Sequence, residues 1–422
     1  MTTTINAGQP GAQPEPRSRN YLTFLIVFLG SIALMDGYLS GVKASAIPYI
    51  LKAYGIDAPT FSGLESIALI VTFFVFALNH LADVIGRKPG LLLLILGMGL
   101  SSLAILIWTP TLPLFMIFYA AATFFTVSNM WQVPASEEAP AARRARVVTL
   151  TAAIGLLPLQ AILPPILVAR LGLNWRWMYG IQFLFMLPVL LMWLFMRETS
   201  RYQVVQEQRR QDHVSRRFNL GLATMDRRDL RNIIFSSAVL ICILLFVSLF
   251  FWCGYFFITL NGFTLTRWSA VFLAVLLMIM LGNLSGGWLL DRVGRKRGLI
   301  IGCAGCCIAI AGLGYAPGTI QIAMVAATGF FFGISSSWTA VYISEVFPTD
   351  RRATCVGWVT AASRISYVAG PALAALLLKA FPDMTIFWIA TGLISLLPIV
   401  IVLVARPAET KQLALEEIAA SH

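Results

Sequence analysis

Two ionisable residues of opposite charge lie inside long apolar stretches of this chain. Asp36 stands about 15 residues into the first stretch, and Arg364 lies 12 residues past Arg352 in a late one. At about 1.5 Å of helical rise per residue, both reach the middle of a bilayer. A charge there costs about 2.5–3.5 kcal/mol, so such residues usually serve a function. A buried carboxyl can exchange a proton, and a guanidinium can bind both oxygens of a carboxylate.

Both residues also admit structural interpretations. Asp36 could be a partner for Lys43, one heptad along, or for Arg364. Arg364 could instead bond to backbone carbonyls or to Asp36. Lys43 and Glu65 lie toward the periplasmic ends of the first two apolar stretches. A salt bridge between them is favoured over contact with a ligand.

Further polar and aromatic side chains interrupt the apolar stretches and are candidates for the wall of a binding cavity. Buried amides need hydrogen-bond partners, which either a ligand or a neighbouring helix supplies. With Arg364, the candidates for ligand contact are Tyr38, Trp131, Gln132, Gln160, Gln182, Asn283, Trp338, Tyr342 and Tyr367.

One charged pattern occurs twice. The first copy reads Asp83-x-x-Gly86-Arg87-Lys88 and then Glu137-x-x-Pro140-x-x-x-Arg144. The second reads Asp291-Arg292-x-Gly294-Arg295-Lys296 and then Glu345-x-x-Pro348-x-x-x-Arg352. Each marker recurs after 208 residues (291 − 83, 345 − 137). Self-similarity at one offset indicates a duplicated chain, and in a hydrophobic chain it favours a transporter built from two repeats around a central site.

The composition is that of a membrane protein. The chain is 58% hydrophobic and only 12% charged, with a mean hydropathy of +0.80, whereas soluble domains carry about 25% charged residues. The apolar stretches predict an all-α membrane protein of twelve transmembrane helices in two pseudo-symmetric six-helix bundles. The predicted spans are 22–45, 60–81, 90–108, 113–135, 147–170, 176–196, 232–259, 268–290, 298–315, 319–343, 354–378 and 384–405.

These spans divide the chain into five parts. Residues 1–20 form a polar tail, expected to be disordered and cytoplasmic, 21–196 the N-terminal bundle and 197–231 a cytoplasmic linker. Residues 232–405 form the C-terminal bundle and 406–422 a second cytoplasmic tail.

The net charge is +12, and most of the positive residues lie on one side of the predicted membrane topology. All but seven of the 31 lysines and arginines fall in the tails and in alternate loops, which is the positive-inside pattern. It predicts a multi-pass inner-membrane protein with both termini cytoplasmic, and it argues against nucleic acid as a partner. We expect a monomer in the lipid bilayer, without a cofactor. No metal site is expected either, because no His or carboxylate lies near Cys303, Cys306 and Cys307, and free cysteines behave as small buried hydrophobes.

The duplicated motifs resemble those of the major facilitator superfamily over nearly the whole chain. The second copy, Gly287-x-x-x-Asp291-Arg292-x-Gly294-Arg295-Lys296, matches the family's loop signature fully, whereas Asn79 and Val84 depart from it in the first. Three further segments resemble the sugar-porter and organic-ion branch: Trp175-Arg176-Trp177, Glu198 to Tyr202, and Glu409-Thr410-Lys411 with Leu415 to Ile418.

The resemblance implies an intracellular salt-bridge network that holds the two halves together when the transporter opens outward. Its predicted members are Asp83, Arg87, Glu137, Arg144, Glu198, Asp291, Arg295, Glu345, Arg352 and Glu409. The segment Asp36 to Gly41 resembles the helix-one signature of aromatic-acid/proton symporters, with Leu39 in place of the second acid. The surroundings of Arg364 resemble those of an anion-binding arginine in organic-ion transporters.

The leading hypothesis is therefore proton-coupled import of a small organic anion by alternating access. Asp36 carries the proton, and Arg364 binds the anionic group. A sugar or polyol porter is the alternative within the class, supported by the loop motifs but not by the aromatic-rich seventh span. A non-transporting membrane sensor on the same fold is the third possibility. No phosphate-binding Gly-Lys-Ser/Thr loop is present in the sequence, so ATP is not expected as the energy source.

Overall fold

The computed structural model describes residues 18–139, 144–200, 202–203, 226–347 and 352–407, and these residues form helices and no strands. The first six helices are α1 (Arg19–Tyr54), α2 (Ala58–Ala68, a 3₁₀ stretch Leu69–Phe74, and Val75–Ile85), α3 (Arg87–Ile107), α4 (Leu112–Thr126 and Gln132–Glu138), α5 (Arg144–Gly155, Leu159–Pro164 and Pro165–Arg170) and α6 (Trp177–Phe195). The second six are α7 (Arg227–Phe250, Cys253–Tyr255 and Phe256–Leu260), α8 (Leu265–Val293), α9 (Arg295–Ala311), α10 (Gly318–Glu345), α11 (Arg352–Ser363 and Ile365–Ala380) and α12 (Thr385–Ala405).

Each of the twelve predicted spans coincides with one of these helices. Ten helices in the described part of the chain are long and apolar enough to cross a membrane. The main part of α4 has 15 residues and α9 has 17, so both are shorter than the roughly 20 that a straight span needs. The predicted all-helical membrane fold is confirmed.

Three elements differ from the predicted spans. The first span was expected to end at residue 45, but α1 continues nine residues further, to Tyr54. The fourth span was expected to be one helix, but α4 stops at Thr126 and resumes at Gln132. Asn129, in the interruption, has a left-handed backbone with φ 49°. The seventh span begins five residues earlier than expected, at Arg227, because Asp226 and Asp229 form a capping box there. The linker residues 204–225 lie outside the described part of the chain, so the division into domains stays a prediction.

The twelve helices alternate between two ends of the molecule. We call the end with the turns at Gly86 and Gly294 the charged end, and the end with the turns at Gly55, Gly172 and Gly262 the opposite end. Near the opposite end the two halves are in close contact. Ser62 of α2 donates to the Pro371 carbonyl of α11 at 2.7 Å, and Trp268 of α8 donates to Ser45 of α1 at 3.2 Å. The molecule is therefore closed at the opposite end.

The backbone at the charged end repeats with the sequence. Gly86 and Gly294 join α2 to α3 and α8 to α9 with φ of 113° and 95° and ψ of 162° and 160°, a conformation open to glycine but strained for other residues. The following arginine then pairs with a glutamate in each half. The Arg87–Glu137 distance is 3.0 Å and the Arg295–Glu345 distance is 2.7 Å. The offset of 208 residues therefore extends from sequence to backbone and to ion pairs.

We expect Gly254→Leu to prevent closure of the opposite end. A Cβ at Gly254 would lie 1.5 Å from the Ala44 carbonyl oxygen across the two halves. Overpacking costs about 1–3 kcal/mol, which shifts a two-state population about 5- to 150-fold. Thiol labelling of a cysteine placed near the opposite end should increase, and transport should fall.

The matched control is Gly357→Leu, since a Cβ there meets no atom within 4 Å. It should label and transport as the wild type does. Unchanged labelling in Gly254→Leu, in a folded sample, would show that this contact does not limit opening.

We also expect the two arginine–glutamate pairs to be equivalent in stability. Arg87→Met leaves Glu137 with 11% of its side chain exposed and without this partner. Loss of one partner of a buried pair costs about 3–5 kcal/mol, and less here because the pair is partly exposed. Melting temperatures in detergent should fall for Arg87→Met and for Arg295→Met. They should recover in large part in Arg87→Met/Glu137→Gln and Arg295→Met/Glu345→Gln. A melting temperature that falls for only one of the two arginine variants would contradict the equivalence of the two pairs.

Candidate functional site

A cavity lies between the two halves, just below the closed opposite end. The cavity has a volume of about 100 Å³. The N-terminal half contributes Leu39, Ser40, Lys43, Glu65, Leu69, Tyr119, Ala122, Thr123, Thr126 and Tyr179. The C-terminal half contributes Leu244, Val247, Ser248, Phe251, Ser366, Tyr367 and Pro371. The wall therefore combines an ion pair and hydroxyls with an apolar patch.

The ion pair on the wall is Lys43 with Glu65, as the sequence favoured. The Lys43 ammonium lies 2.6 Å from both Glu65 carboxylate oxygens, and the Tyr119 hydroxyl donates to the same carboxylate at 2.6 Å. Lys43 is 6% exposed and Glu65 1%. Two charges this deeply buried are stable only when they are paired and hydrogen-bonded.

Asp36 lies one helical turn from this wall, on α1. One carboxylate oxygen accepts a hydrogen bond from the Trp131 indole at 3.2 Å, and the other accepts one from Ser40, a cavity residue, at 3.3 Å. Arg364 is close enough to act on Asp36 electrostatically. The two side chains do not form an ion pair with each other in this structure, so their predicted direct pairing is not seen. Asp36 is half-buried and bonded only to neutral donors among the described residues.

Arg364 is bonded across the two halves. Its guanidinium donates to the Val127 carbonyl, which the interruption of α4 leaves free of an intrahelical donor. The same guanidinium lies over the ring of Tyr367, 5.4 Å from its centroid, and Tyr367 lines the cavity. Arg364 is 5% exposed, and its Nε has no acceptor among the described residues. The arginine therefore sits directly behind the cavity wall, bonded to a backbone carbonyl.

The other residues that were predicted to contact a ligand lie in several parts of the structure, and only some of them reach the cavity. Tyr367 lines the cavity. Tyr38 donates to the Met178 carbonyl at 2.5 Å, and Asn283 accepts from Ser336 at 2.8 Å between α8 and α10. Trp338 and Tyr342 stack on each other at 4.7 Å within the C-terminal half.

The three predicted glutamines also lie off the cavity wall in this conformation, and Gln182 donates to the Met35 carbonyl at 2.7 Å. Gln132 is exposed at the start of the second part of α4. Gln160 is buried against Gly41, and its Oε1 has no partner among the described residues. Substrate contact by these residues remains a prediction.

The predicted network at the charged end is present in part. Glu198 accepts from the backbone N–H groups of Arg87 at 2.9 Å and of Lys88 at 3.1 Å, so it caps the positive end of α3. Asp291 accepts from Arg295 at 2.9 Å. These bonds, like the two arginine–glutamate pairs, lie within one half. The side chains of Asp83, Arg144 and Arg352, and all of Glu409, lie outside the described part of the chain.

Most polar residues of the wall were not singled out from the sequence. Ser40, Thr123, Thr126, Ser248 and Ser366 are small hydroxyl residues in apolar helices, and such residues often bond only to their own helix. Thr123 donates to the Tyr119 carbonyl at 2.9 Å and Thr126 to the Thr123 carbonyl at 2.8 Å. Their oxygens keep lone pairs that can accept from a ligand. No cluster of His, Cys, Asp or Glu in the described residues could hold a metal ion.

Solved structures with this architecture include a sugar symporter. The inward-open conformation of the xylose transporter XylE from E. coli superposes with a TM-score of 0.71 at 18% identity, over 95% of this chain and all of that one. The proton:xylose symporter XylE bound to 6-bromo-6-deoxy-D-glucose gives 0.70 at 19% identity, over 96% of this chain. At these identities the likeness is one of fold.

Similarity to curated sequences is local. The synaptic vesicle glycoprotein 2A of Homo sapiens and that of Rattus norvegicus are each 32% identical over 97 residues. The match spans 22% of this chain and 13% of each of those proteins.

The family model of the Major Facilitator Superfamily matches residues 26–338 and 260–420, which together span both halves. The duplicated loops, the twelve helices and the cavity between the halves agree with that match. The chain belongs to the major facilitator superfamily, and it is a transporter and not an enzyme.

Proposed function

We propose that this transporter imports a small organic anion together with a proton. The observation that carries the proposal is the charge balance around the cavity. Four charged side chains of the described residues line or adjoin it: Asp36, Lys43, Glu65 and Arg364. Two are positive and two are negative, so the empty site is neutral. A proton bound by one carboxylate leaves one net positive charge, which a monovalent anion neutralises.

This balance couples the two substrates. A net charge in the low-dielectric interior costs several kcal/mol. The carrier with both proton and anion is neutral, as the empty carrier is, whereas either substrate alone leaves a charge. Binding of one therefore favours binding of the other, and the linkage is reciprocal.

Asp36 is the proposed proton site. It is half-buried, its bonds come from neutral donors, and Ser40 connects it to the cavity. With the charged end cytoplasmic, as the positive-inside pattern predicts, the closed opposite end faces outward. The structure would then correspond to the state that releases proton and anion to the cytoplasm.

Direct binding of the anion by Arg364 remains part of the proposal for other states of the cycle. In this conformation the guanidinium is bonded to Val127. Its contribution here is the positive charge that it adds beside Asp36.

A sugar or polyol is the second candidate, favoured by the hydroxyl-lined wall. Thr123, Thr126 and Ser366 donate inside the protein, so their free lone pairs suit the O–H donors of a sugar. The solved structures of similar fold include a xylose symporter. A neutral sugar, however, does not offset the charge of the bound proton.

Uptake into proteoliposomes distinguishes the two candidates. The panel contains 4-hydroxybenzoate, quinate, xylose and inositol, each with and without an inward proton gradient. We expect gradient-driven accumulation of a carboxylate and none of the two neutral compounds. Accumulation of xylose or inositol alone would establish the sugar porter instead.

We expect Asp36→Asn to abolish accumulation driven by the proton gradient. The amide cannot release a proton, so the coupled cycle cannot be completed. Exchange of labelled for unlabelled substrate between equal pools needs no net proton movement and should continue in part. Both rates are measured in the same proteoliposomes, and full gradient-driven accumulation by Asp36→Asn would exclude Asp36 as the proton site.

A further inference from the structure

The Lys43–Glu65 pair has a third and a fourth neighbour on the cavity wall. The rings of Tyr119 and Tyr179 meet edge to face, with centroids 6.3 Å apart. Tyr119 donates its hydroxyl to Glu65 at 2.6 Å. The Tyr179 hydroxyl is buried and has no hydrogen-bond partner among the described residues. An unpartnered buried hydroxyl costs about 1–3 kcal/mol, so its place on a cavity wall needs a reason.

Lys43 also has donor capacity left over. An ammonium has three N–H groups, and the only acceptors it has among the described residues are the two oxygens of Glu65. Lys43 and Tyr179 both line the same cavity. The Lys43 ammonium and the Tyr179 hydroxyl can each donate a further hydrogen bond, and the ammonium is positively charged. They therefore suit a negatively charged ligand that accepts hydrogen bonds. The wall around them carries the carboxylate of Glu65, which already occupies one side of the ammonium.

We propose that Lys43 and Tyr179 bind the carboxylate of the transported anion, and that Glu65 holds Lys43 when the site is empty. The inference rests on the proposed function and names its anion subsite. The ligand carboxylate accepts from the Lys43 ammonium and from the Tyr179 hydroxyl. Its apolar body then lies against Leu39, Val247 and Phe251 on the cavity wall. Glu65 competes with the ligand for Lys43.

This competition predicts effects of opposite sign for the two members of the ion pair. Glu65→Gln removes the internal competitor, so the carboxylate should bind more tightly. Lys43→Met/Glu65→Gln removes both charges and keeps the cavity neutral, a replacement that folded proteins often tolerate. It should weaken carboxylate binding about 10- to 100-fold, the effect of losing a charged hydrogen bond. A pair with only a structural role would not give tighter binding when Glu65 is neutralised.

Tyr179→Phe tests the hydroxyl separately. It removes a group with no protein partner, so the melting temperature without ligand should stay the same or rise. Binding of the carboxylate should weaken about 3- to 10-fold. The matched control is Tyr54→Phe, whose hydroxyl donates to the Thr109 carbonyl at 2.8 Å away from the cavity. It should lower the melting temperature and leave binding unchanged.

The measurement is calorimetric titration of the purified full-length protein in nanodiscs. The probes are 4-hydroxybenzoate and quinate, with 4-hydroxybenzyl alcohol as the uncharged counterpart. We expect the wild type to bind a carboxylate and not the alcohol, with the order Glu65→Gln, wild type, Tyr179→Phe and double variant from tightest to weakest.

The outcomes separate this inference from the proposed function. Carboxylate binding by the wild type that the double variant and Tyr179→Phe retain unchanged would overturn the subsite and leave anion transport standing. Equal weakening by Glu65→Gln and by the double variant would also overturn it. A wild type that binds neither carboxylate, and accumulates neither in proteoliposomes, would overturn both.

Discussion

A helix that is interrupted inside a membrane must have its freed backbone groups bonded by protein, because the bilayer core supplies no donors. In this transporter the interrupted segment of α4 is bonded to two ionisable side chains. The Val127 carbonyl accepts from Arg364, and the Trp131 indole donates to Asp36. The two charges that the sequence places at mid-membrane, one from each half, are thus fixed by the same short segment of α4. Of these two bonds, the one between Arg364 and Val127 joins the two halves.

The duplication accounts for the shared backbone of the two halves, and the halves differ in the residues that they place at or beside the cavity. Both α5 and α11 are interrupted at the same repeat position, after Gly155 and after Ser363 (363 − 155 = 208). The second interruption carries Arg364, whereas the first has Leu156 at the matching position. Asp36 likewise corresponds to Leu244, which faces the cavity. Backbone geometry is therefore shared by the halves, while Asp36 and Arg364, the charges that we propose to couple proton and substrate, each occur in one half only.

Hydrophobic length and the repeated motifs were sufficient to predict twelve helices and most of their boundaries to within about five residues, although α1 continues nine residues past its predicted end. They could not predict the interruption of α4, although Ser128-Asn129 in an apolar run was a signal, since Asn tolerates a left-handed backbone. The partner of Arg364 is a carbonyl which that interruption frees, so it could not be named in advance. Helices that are apolar on every face also do not show which side meets the cavity. This is why Trp338 and Tyr342 were candidates for a wall to which Tyr119 and Tyr179 belong.

The four charges at the cavity differ in how they are paired, and this difference supports the roles that we propose for them. Lys43 and Glu65 are in direct contact, so neutralising either one leaves the other buried without its partner. Asp36 and Arg364 are each bonded to neutral groups instead, so Asp36 can gain or lose a proton without breaking an ion pair. This pairing supports our proposals that Asp36 exchanges the proton and that the carboxylate of the transported anion replaces Glu65 at Lys43.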